Sequence, residues 1–390
     1  MALLLADVMI DPNNLIFRVK YVLFVFVLLV WTVGFRPKMN RWDSKLAYVA
    51  VFIGVFMPFY ALSVGIINSV LHNVPVGNLV YLNSFFFFLL VLVTMNNTSY
   101  LTVLFNRSSL MIVLVTLLIY ASLVLNPLWF KSLYQYFVMD KNVAAYALRN
   151  YGKITMLMIF YKTSSILVFP LSYYLYKILI DQKTKARFVQ YLLTVLIMVT
   201  LFLSGTRANV LSLFLILIFY LGFFTYRRSK TWFVLVVSAG LVLFLLMLPS
   251  VWEVFMNRHE ASNAIKFGYL PSYADFFDQN LLSLFFGQGI GGIFYASVLN
   301  RMVGVTELTY LELIRIWGIP IAVIFGVILI WPLVREIKSK KLSHLFIAYL
   351  AFLFIAGTNP LLLSSTGMLV LVYVFSMSFG KSERFEKLKS

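Results

Sequence analysis

The sequence predicts an all-α, polytopic integral membrane protein, and three observations carry that prediction. Of its 390 residues, 62% are hydrophobic and only 12% are charged. A soluble domain has about 45–50% apolar and roughly 25% charged residues, so a water-soluble globule is excluded. The apolar residues lie in long runs that can cross a bilayer as helices. Finally, the basic residues are concentrated in some of the segments that connect these runs and are fewer in the other connecting segments.

We expect about eleven membrane-spanning helices (ten to twelve) in one membrane domain, residues 1–390, because a crossing needs about 20 residues. The apolar runs are 17–35, 46–70, 78–95, 109–128, 154–179, 187–204, 208–226, 231–249, 308–333, 342–357 and 364–380. Barrel strands would alternate over about ten residues, whereas a run such as Val234–Leu248 is apolar on every side. Met1–Ile10 is expected to be a short partial or interfacial segment. It has no basic region before its apolar stretch and does not resemble a cleaved signal peptide.

The net charge of +18, from 32 Lys+Arg and 14 Asp+Glu, is interpreted as membrane orientation. Basic residues collect in cytoplasmic loops, and here they cluster at 36–45, 183–187, 227–230, 335–341 and 381–389. We therefore expect a cytoplasmic C-terminus and no nucleic-acid partner. Residues 129–153 and 250–306 then form external loops. The second is long and rich in aromatic residues, so we expect it to contain helices that lie on the outer membrane surface.

Composition also excludes several kinds of chemistry. Without cysteine there is no disulfide, thiolate metal site or thiol nucleophile. The three histidines (His72, His259 and His344) are far apart, and neither HExxH nor a P-loop is present. We expect neither a metal nor a cofactor.

The first candidate site is SGTRAN, residues 204–209, a very short external turn before an apolar run. Arg207 would stand at the start of the next helix, where the helix dipole and a guanidinium together favour an anion such as phosphate. The alternative is an arginine that reaches lipid headgroups.

The second candidate site is NRHE, residues 257–260, where the large loop begins. Arg258, His259 and Glu260 offer a cation, a base that titrates near neutral pH and a carboxylate. Adjacent residues do not share a helix face, so the three cannot all bind one substrate. A solvated or headgroup-facing surface is the alternative.

The third candidate site begins with FGQGIGG, residues 286–292, and includes Gly289. Such glycines form either a phosphate-binding loop or a tight turn that closes a pocket. Glu307 precedes the next helix, and Glu312 and Arg315 follow at i, i+3 spacing on one face. They form either a structural ion pair or part of a substrate cavity.

The fourth candidate site is the loop 129–153, where Arg149 and Lys153 are spaced i, i+4. They could bind an anionic headgroup of a substrate or of a bilayer lipid. Taken together, the external side offers arginines suited to a diphosphate and carboxylates with aromatics suited to sugars. This combination favours a glycan carried on a lipid diphosphate.

The layout of nearly the whole chain resembles the Wzy-type O-antigen polymerases, a family related to the O-antigen ligases and to the peptidoglycan polymerases of shape and division. The resemblance rests on a large external loop before the last three spans, on SGTRA at 204–208 and on GQGIGG at 287–292. An acidic residue, Glu307, and a helix with Tyr310-Leu311 and Gly318-Ile319-Pro320 follow.

The resemblance implies a GT-C-like membrane glycosyltransferase in a bacterial inner membrane, with its large loop in the periplasm. It would polymerise undecaprenyl-diphosphate-linked repeat units, and a co-polymerase that regulates chain length is an implied partner. Arg207, with Arg258 beside it, would bind the diphosphate. Glu307 stands where related ligases often have a histidine proposed as general base, and it would activate the acceptor hydroxyl.

Three other functions stay open. A ligase of the same fold is disfavoured because Glu307 replaces the histidine. A flippase for lipid-linked oligosaccharides would bind the same lipid, but such transporters usually show repeat symmetry and this chain shows none. A structural membrane scaffold would have no use for Arg207 in so short a turn.

Overall fold

The computed structural model of the chain describes residues 1–34, 44–72, 80–96, 98–151, 154–181, 188–235, 238–240, 242, 261–339 and 343–380. Of these described residues, 81% are helical. Within the described ranges, four helices are long and apolar enough to cross a membrane: Lys45–Leu71, Thr98–Leu125, Arg207–Arg228 and Thr309–Lys338. Seven shorter apolar helices accompany them in the same part of the chain. The predicted class, an all-α membrane protein, is confirmed at this level, while eleven crossings and the GT-C-like arrangement stay predictions.

The helices of the first half begin with α1, which is the short segment expected at Met1–Ile10. They are α1 (Ala2–Ile10), α2 (Lys20–Gly34), α3 (Ser44–Val51), α4 (Met57–His72), α5 (Val80–Phe86), α6 (Val91–Thr94), α7 (Thr98–Leu125) and α8 (Pro127–Tyr134). π-helical segments follow α3 (Phe52–Phe56) and α8 (Gln135–Asp140), and a 3₁₀ turn joins α5 to α6.

The second half contains α9 (Val168–Leu179), α10 (Phe188–Leu203), α11 (Arg207–Arg228), α12 (Ala261–Gln279), α13 (Leu281–Phe286), α14 (Thr309–Lys338), α15 (His344–Gly357) and α16 (Ser365–Phe379). Nearly every residue of α16 is buried. An α-helix that is apolar on all sides is expected at the centre of a bundle, and α16 fits this rule. The described part of the large loop 250–306 contains helices, α12 and α13. Their expected position on the outer membrane surface stays a prediction.

One predicted span is wrong in its first part. The run 154–179 was expected to be a single helix, but Ile154–Tyr161 is a strand, β2, that pairs antiparallel with β1 (Ala144–Tyr151). The backbone hydrogen bonds of a short apolar run can be formed either in a helix or in a strand, and the periodicity of so short a run does not distinguish the two. The helix begins only after Tyr161, with a 3₁₀ turn at Ser164–Leu167 that leads into α9. The predicted loop 129–153 accordingly contains most of α8, a π-helical segment and β1.

The long helix α14 is broken at Gly318, whose φ of 75° and ψ of 165° are not helical. The loop after α13 inserts at this break: Gln288 N–H donates to the Arg315 carbonyl, and Gly289 N–H donates to the Ile316 carbonyl (3.0 Å). Within a membrane protein, a helix break is tolerated only where neighbouring groups satisfy the freed backbone. The inserted loop does this for α14.

The same loop is fixed to α4 on its other side. Ile290 N–H donates to the Ala61 carbonyl at 2.9 Å, and a Cβ on Gly289 would lie 2.1 Å from the Gly65 nitrogen. Only glycine, at a φ of +81°, allows this close approach. The insertion thus ties α4, the loop and α14 together, and a short hairpin of β3 (Phe294–Ala296) and β4 (Arg301–Val303) extends from it.

Candidate functional site

Arg207 begins α11 directly after a tight turn at Ser204–Thr206. Gly205 in this turn has a φ of +60°, and a Cβ there would lie 2.3 Å from the Met158 Cβ. Asn209 is fully buried and donates to Ser204 Oγ and to Ser164 Oγ. Glycine and a buried amide therefore fix this turn against the β2–α9 connection, and Arg207 has a defined position at the helix start.

Arg207 contacts the first turn of α12. Its Nη1 donates to Asn263 Oδ1 at 2.5 Å, and Asn263 is 7% exposed. Arg207 itself is half-buried. The guanidinium therefore lies between the start of α11 and the start of α12.

Glu307 contacts Lys266, which lies one turn after Asn263 on α12. Lys266 Nζ lies 3.1 Å from Glu307 Oε2 and donates to the Thr358 carbonyl at 3.2 Å. The two side chains are 26% and 50% exposed. Asn263 and Lys266 are spaced i, i+3 and lie on one face of α12. Two of the three residues assigned to catalysis before the structure, Arg207 and Glu307, therefore bind neighbouring positions of one helix; the third, Arg258, lies outside the described residues.

The start of α14 and the segment after α15 lie next to this face of α12. Thr309 Oγ1 donates to the Asn359 carbonyl at 2.6 Å, and Asn359 follows α15. We name the group of Arg207, Asn263, Lys266, Glu307 and Thr358 the polar edge. Its two cations suit an anion, and its half-exposed carboxylate can accept a proton from a hydroxyl.

Glu312 and Arg315 form the structural ion pair that was one of the two interpretations. Arg315 Nη2 lies 2.7 Å from Glu312 Oε2, and the side chains are 1% and 0% exposed. The Nε–H donates to the same Glu312 oxygen at 3.2 Å, and the remaining N–H groups of the guanidinium donate to Gln288 Oε1 and to the carbonyls of Gly292 and Gly304. Every donor of Arg315 is occupied, so the pair holds the loop and offers nothing to a ligand.

The other oxygen of Glu312 fixes α12. Glu312 Oε1 accepts from the Tyr273 hydroxyl at 2.5 Å and from the Thr306 backbone at 3.0 Å. Burial, and then the charge of Glu312, raise the pKa of Tyr273, which therefore remains a hydrogen-bond donor. A carboxylate at the start of α14 thus secures both the large loop and α12.

Gly289 likewise has a packing role in this structure. Its N–H donates to the Ile316 carbonyl, and the preceding and following N–H groups donate to Arg315 and Ala61 carbonyls. These amides are not directed at a ligand, so the structure favours the tight turn over the phosphate-binding loop.

Five other assigned residues give less information. Arg149 lies in β1, opposite Met156. Lys153, Arg258, His259 and Glu260 lie outside the described residues. Whether Arg258 stands beside Arg207 therefore stays a prediction. Within the described ranges, no three His, Asp or Glu side chains are grouped as metal ligands.

Sequence reasoning missed Asn263, Lys266 and Thr358. The i, i+3 spacing of Asn263 and Lys266 was available as a signal, but it has meaning only once residues 261–279 are known to be helical. Comparisons of the chain with family models, with curated proteins and with solved structures gave no match.

Proposed function

We propose that the protein polymerises lipid-diphosphate-linked oligosaccharide repeat units, using the polar edge as its transfer site. One observation carries the proposal: Arg207 and Glu307, chosen from sequence for separate steps of the reaction, bind successive turns of one face of α12. A cation for the leaving diphosphate and a carboxylate for the incoming hydroxyl are thereby held side by side.

In this mechanism the acceptor hydroxyl gives its proton to the Glu307 carboxylate as its oxygen bonds to the anomeric carbon of the donor sugar. The bond from that carbon to the lipid diphosphate breaks, and the diphosphate leaves with the electron pair. Arg207 stabilises the leaving anion by charge-assisted hydrogen bonds. Lys266 positions Glu307 from α12. Much of the acceleration would come from holding two membrane-anchored substrates together.

Arginine replacements test the diphosphate role. A strain that lacks the gene is complemented with wild type, Arg207→Ala, Arg207→Lys or Arg301→Ala, and surface polysaccharide is resolved by gel electrophoresis. Arg301 is an exposed arginine of β4 and serves as the matched control. We expect Arg207→Ala to reduce polymer about 100-fold or more, and Arg207→Lys to retain part of it, since lysine lacks the bidentate fork. Arg301→Ala should resemble wild type.

The pattern of products distinguishes the alternatives. A polymerase defect leaves single repeat units on the lipid core, a ligase defect leaves none, and a flippase defect stops export. Polymer at wild-type levels in both Arg207 variants, with equal amounts of protein in the membrane, would refute the diphosphate role.

A further inference from the structure

A cavity of about 480 Å³ lies on the far side of α12 from the polar edge. The end of α4, α12, α13, the inserted loop and the β3–β4 hairpin enclose it. Binding sites for small organic ligands have volumes of about 300–1,000 Å³. Its size therefore suits an organic ligand rather than an ion.

The lining of the cavity mixes polar and apolar surface and carries little charge. Many of the lining side chains are amides or hydroxyls, and aromatic rings accompany them: Asn68, Ser272, Gln279, Asn280, Ser283 and Tyr295 are examples. Asp275 is the one charged residue among the described lining residues, which include no Lys or Arg. A diphosphate would find no counter-charge here, and a lipid tail would leave the amides without partners.

Several lining groups are available to a ligand. Ser272 is occupied, because its Oγ bonds with Ser297. Among the described residues, by contrast, the side chains of Asp275, Gln279 and Ser283 have no hydrogen-bond partner. They offer a carboxylate, an amide and a hydroxyl, which together accept and donate. A ligand rich in hydroxyls would satisfy all three.

An aromatic ring completes the site. Tyr295 in β3 is 52% exposed, and its hydroxyl donates to Asn300 Oδ1, which fixes the orientation of the ring. A rigid ring with one polar end offers a flat apolar surface beside hydrogen-bonding groups. This arrangement suits the apolar face of a sugar ring.

Helix geometry separates the cavity from the polar edge. Asp275 follows Lys266 by nine residues, which at 3.6 residues per turn places it on the opposite face and about 14 Å further along α12. One bound sugar would not span this separation, whereas an oligosaccharide would.

We infer that this cavity binds a neutral oligosaccharide segment of the substrate, with Asp275, Gln279 and Ser283 as hydrogen-bonding groups and Tyr295 as the stacking surface. The inference that this glycan is the one being polymerised rests on the proposed function; the sugar site itself does not. Because Asp275 has no cation beside it in the cavity, acidic sugars are disfavoured at this position.

Binding of soluble oligosaccharides to the purified full-length protein in nanodiscs tests the inference. The probes are neutral oligosaccharides released from the surface polysaccharide of the host and, for comparison, an oligogalacturonate. Saturation-transfer NMR and calorimetry measure binding to wild type, Asp275→Asn, Gln279→Ala and Tyr295→Ala. The matched control is Asp278→Asn, an exposed aspartate of α12 outside the cavity lining.

We expect the neutral probes to bind and the oligogalacturonate to bind at least 10-fold more weakly. Asp275→Asn and Tyr295→Ala should each weaken neutral binding about 10-fold, a change of about 1.4 kcal/mol, whereas Asp278→Asn should not. Absence of neutral binding at millimolar concentration, or equal binding by all variants, would overturn the inference. Arg207→Ala should bind the neutral probes as wild type does, so failure of the transfer mechanism leaves this result unchanged.

Discussion

Two ion pairs have their carboxylates close together at the start of α14, Glu307 and Glu312, and they differ in almost every physical respect. Glu312 and Arg315 are 0% and 1% exposed, and the guanidinium has no free donor. Lys266 and Glu307 are 26% and 50% exposed, so their contact leaves half of the Glu307 side chain accessible. Charge at membrane depth is a functional candidate by default. The comparison shows that the two pairs differ in the access of other molecules to their charged atoms: a ligand can contact Glu307, whereas it cannot contact Glu312 or Arg315.

Breaking the buried pair should have the largest effect on stability. Arg315→Met leaves Glu312 buried without its counter-charge and should lower the free energy of unfolding by about 3–5 kcal/mol. The double variant Glu312→Gln with Arg315→Met removes both charges and should recover part of this loss. Thermal unfolding of the detergent-purified protein, followed by tryptophan fluorescence, measures both. A midpoint for Arg315→Met equal to that of wild type would show that the pair does not hold the loop.

A methyl group at the helix break should have the second largest effect. In Gly318→Ala the new Cβ would lie 2.1 Å from the Phe285 carbonyl oxygen at a φ of +75°, and we expect a loss of about 1–3 kcal/mol. Gly326 in the same helix has nothing within 4 Å of its Cβ position. Gly326→Ala should therefore be neutral or stabilising by up to about 1 kcal/mol. The same thermal assay checks both, and equal destabilisation by the two variants would contradict the explanation.

Breaking the exposed pair should affect stability least and activity most. Lys266→Met should change the free energy of unfolding by no more than about 1 kcal/mol, because solvent screens a partly exposed pair. Under the proposed mechanism it removes the contact that positions Glu307, and Glu307→Gln removes the proton acceptor. Both should reduce polymer length and amount by about 10-fold or more. The assay is the complementation gel together with the thermal midpoint, and normal polymer from Glu307→Gln would exclude the carboxylate as base.

The parts of the fold that the sequence predicted well are those where an apolar run meets a polar turn. The run 208–226 became α11 (Arg207–Arg228) and the run 308–333 became most of α14 (Thr309–Lys338). The hairpin of β1 and β2 was missed because hydropathy measures burial and does not determine which hydrogen bonds satisfy the backbone. The break at Gly318 depends on a loop that lies 26 or more residues earlier in the chain, and no local pattern reveals such a partner.

The candidate site shows the same limit. Arg207 and Glu307 were singled out from local context, one from its short turn and the other from its position before a helix, whereas the role of Glu307 as base came only from the family resemblance. The positions of Lys266 and Asn263, and the cavity around Asp275, depend on how α12 packs. Because α12 mixes polar and aromatic residues, the spacing of these residues did not reveal which face of the helix each would occupy. Whether Glu312 and Arg315 were structural or reactive was also undecidable from their spacing. The answer came from Gln288, Gly292 and Gly304, which the folded loop brings to them.

The loop that inserts at Gly318 also limits how this protein can be re-engineered. A designer who replaced residues 261–306 with the corresponding loop of another membrane protein would also replace the amides that serve the Arg315 and Ile316 carbonyls. Such a chimera would leave the recipient helix unsatisfied in the bilayer unless α14 and the facing part of α4 travelled with the graft. The exchangeable module is therefore a loop together with two helices, and during synthesis it can be completed only after α14 has emerged.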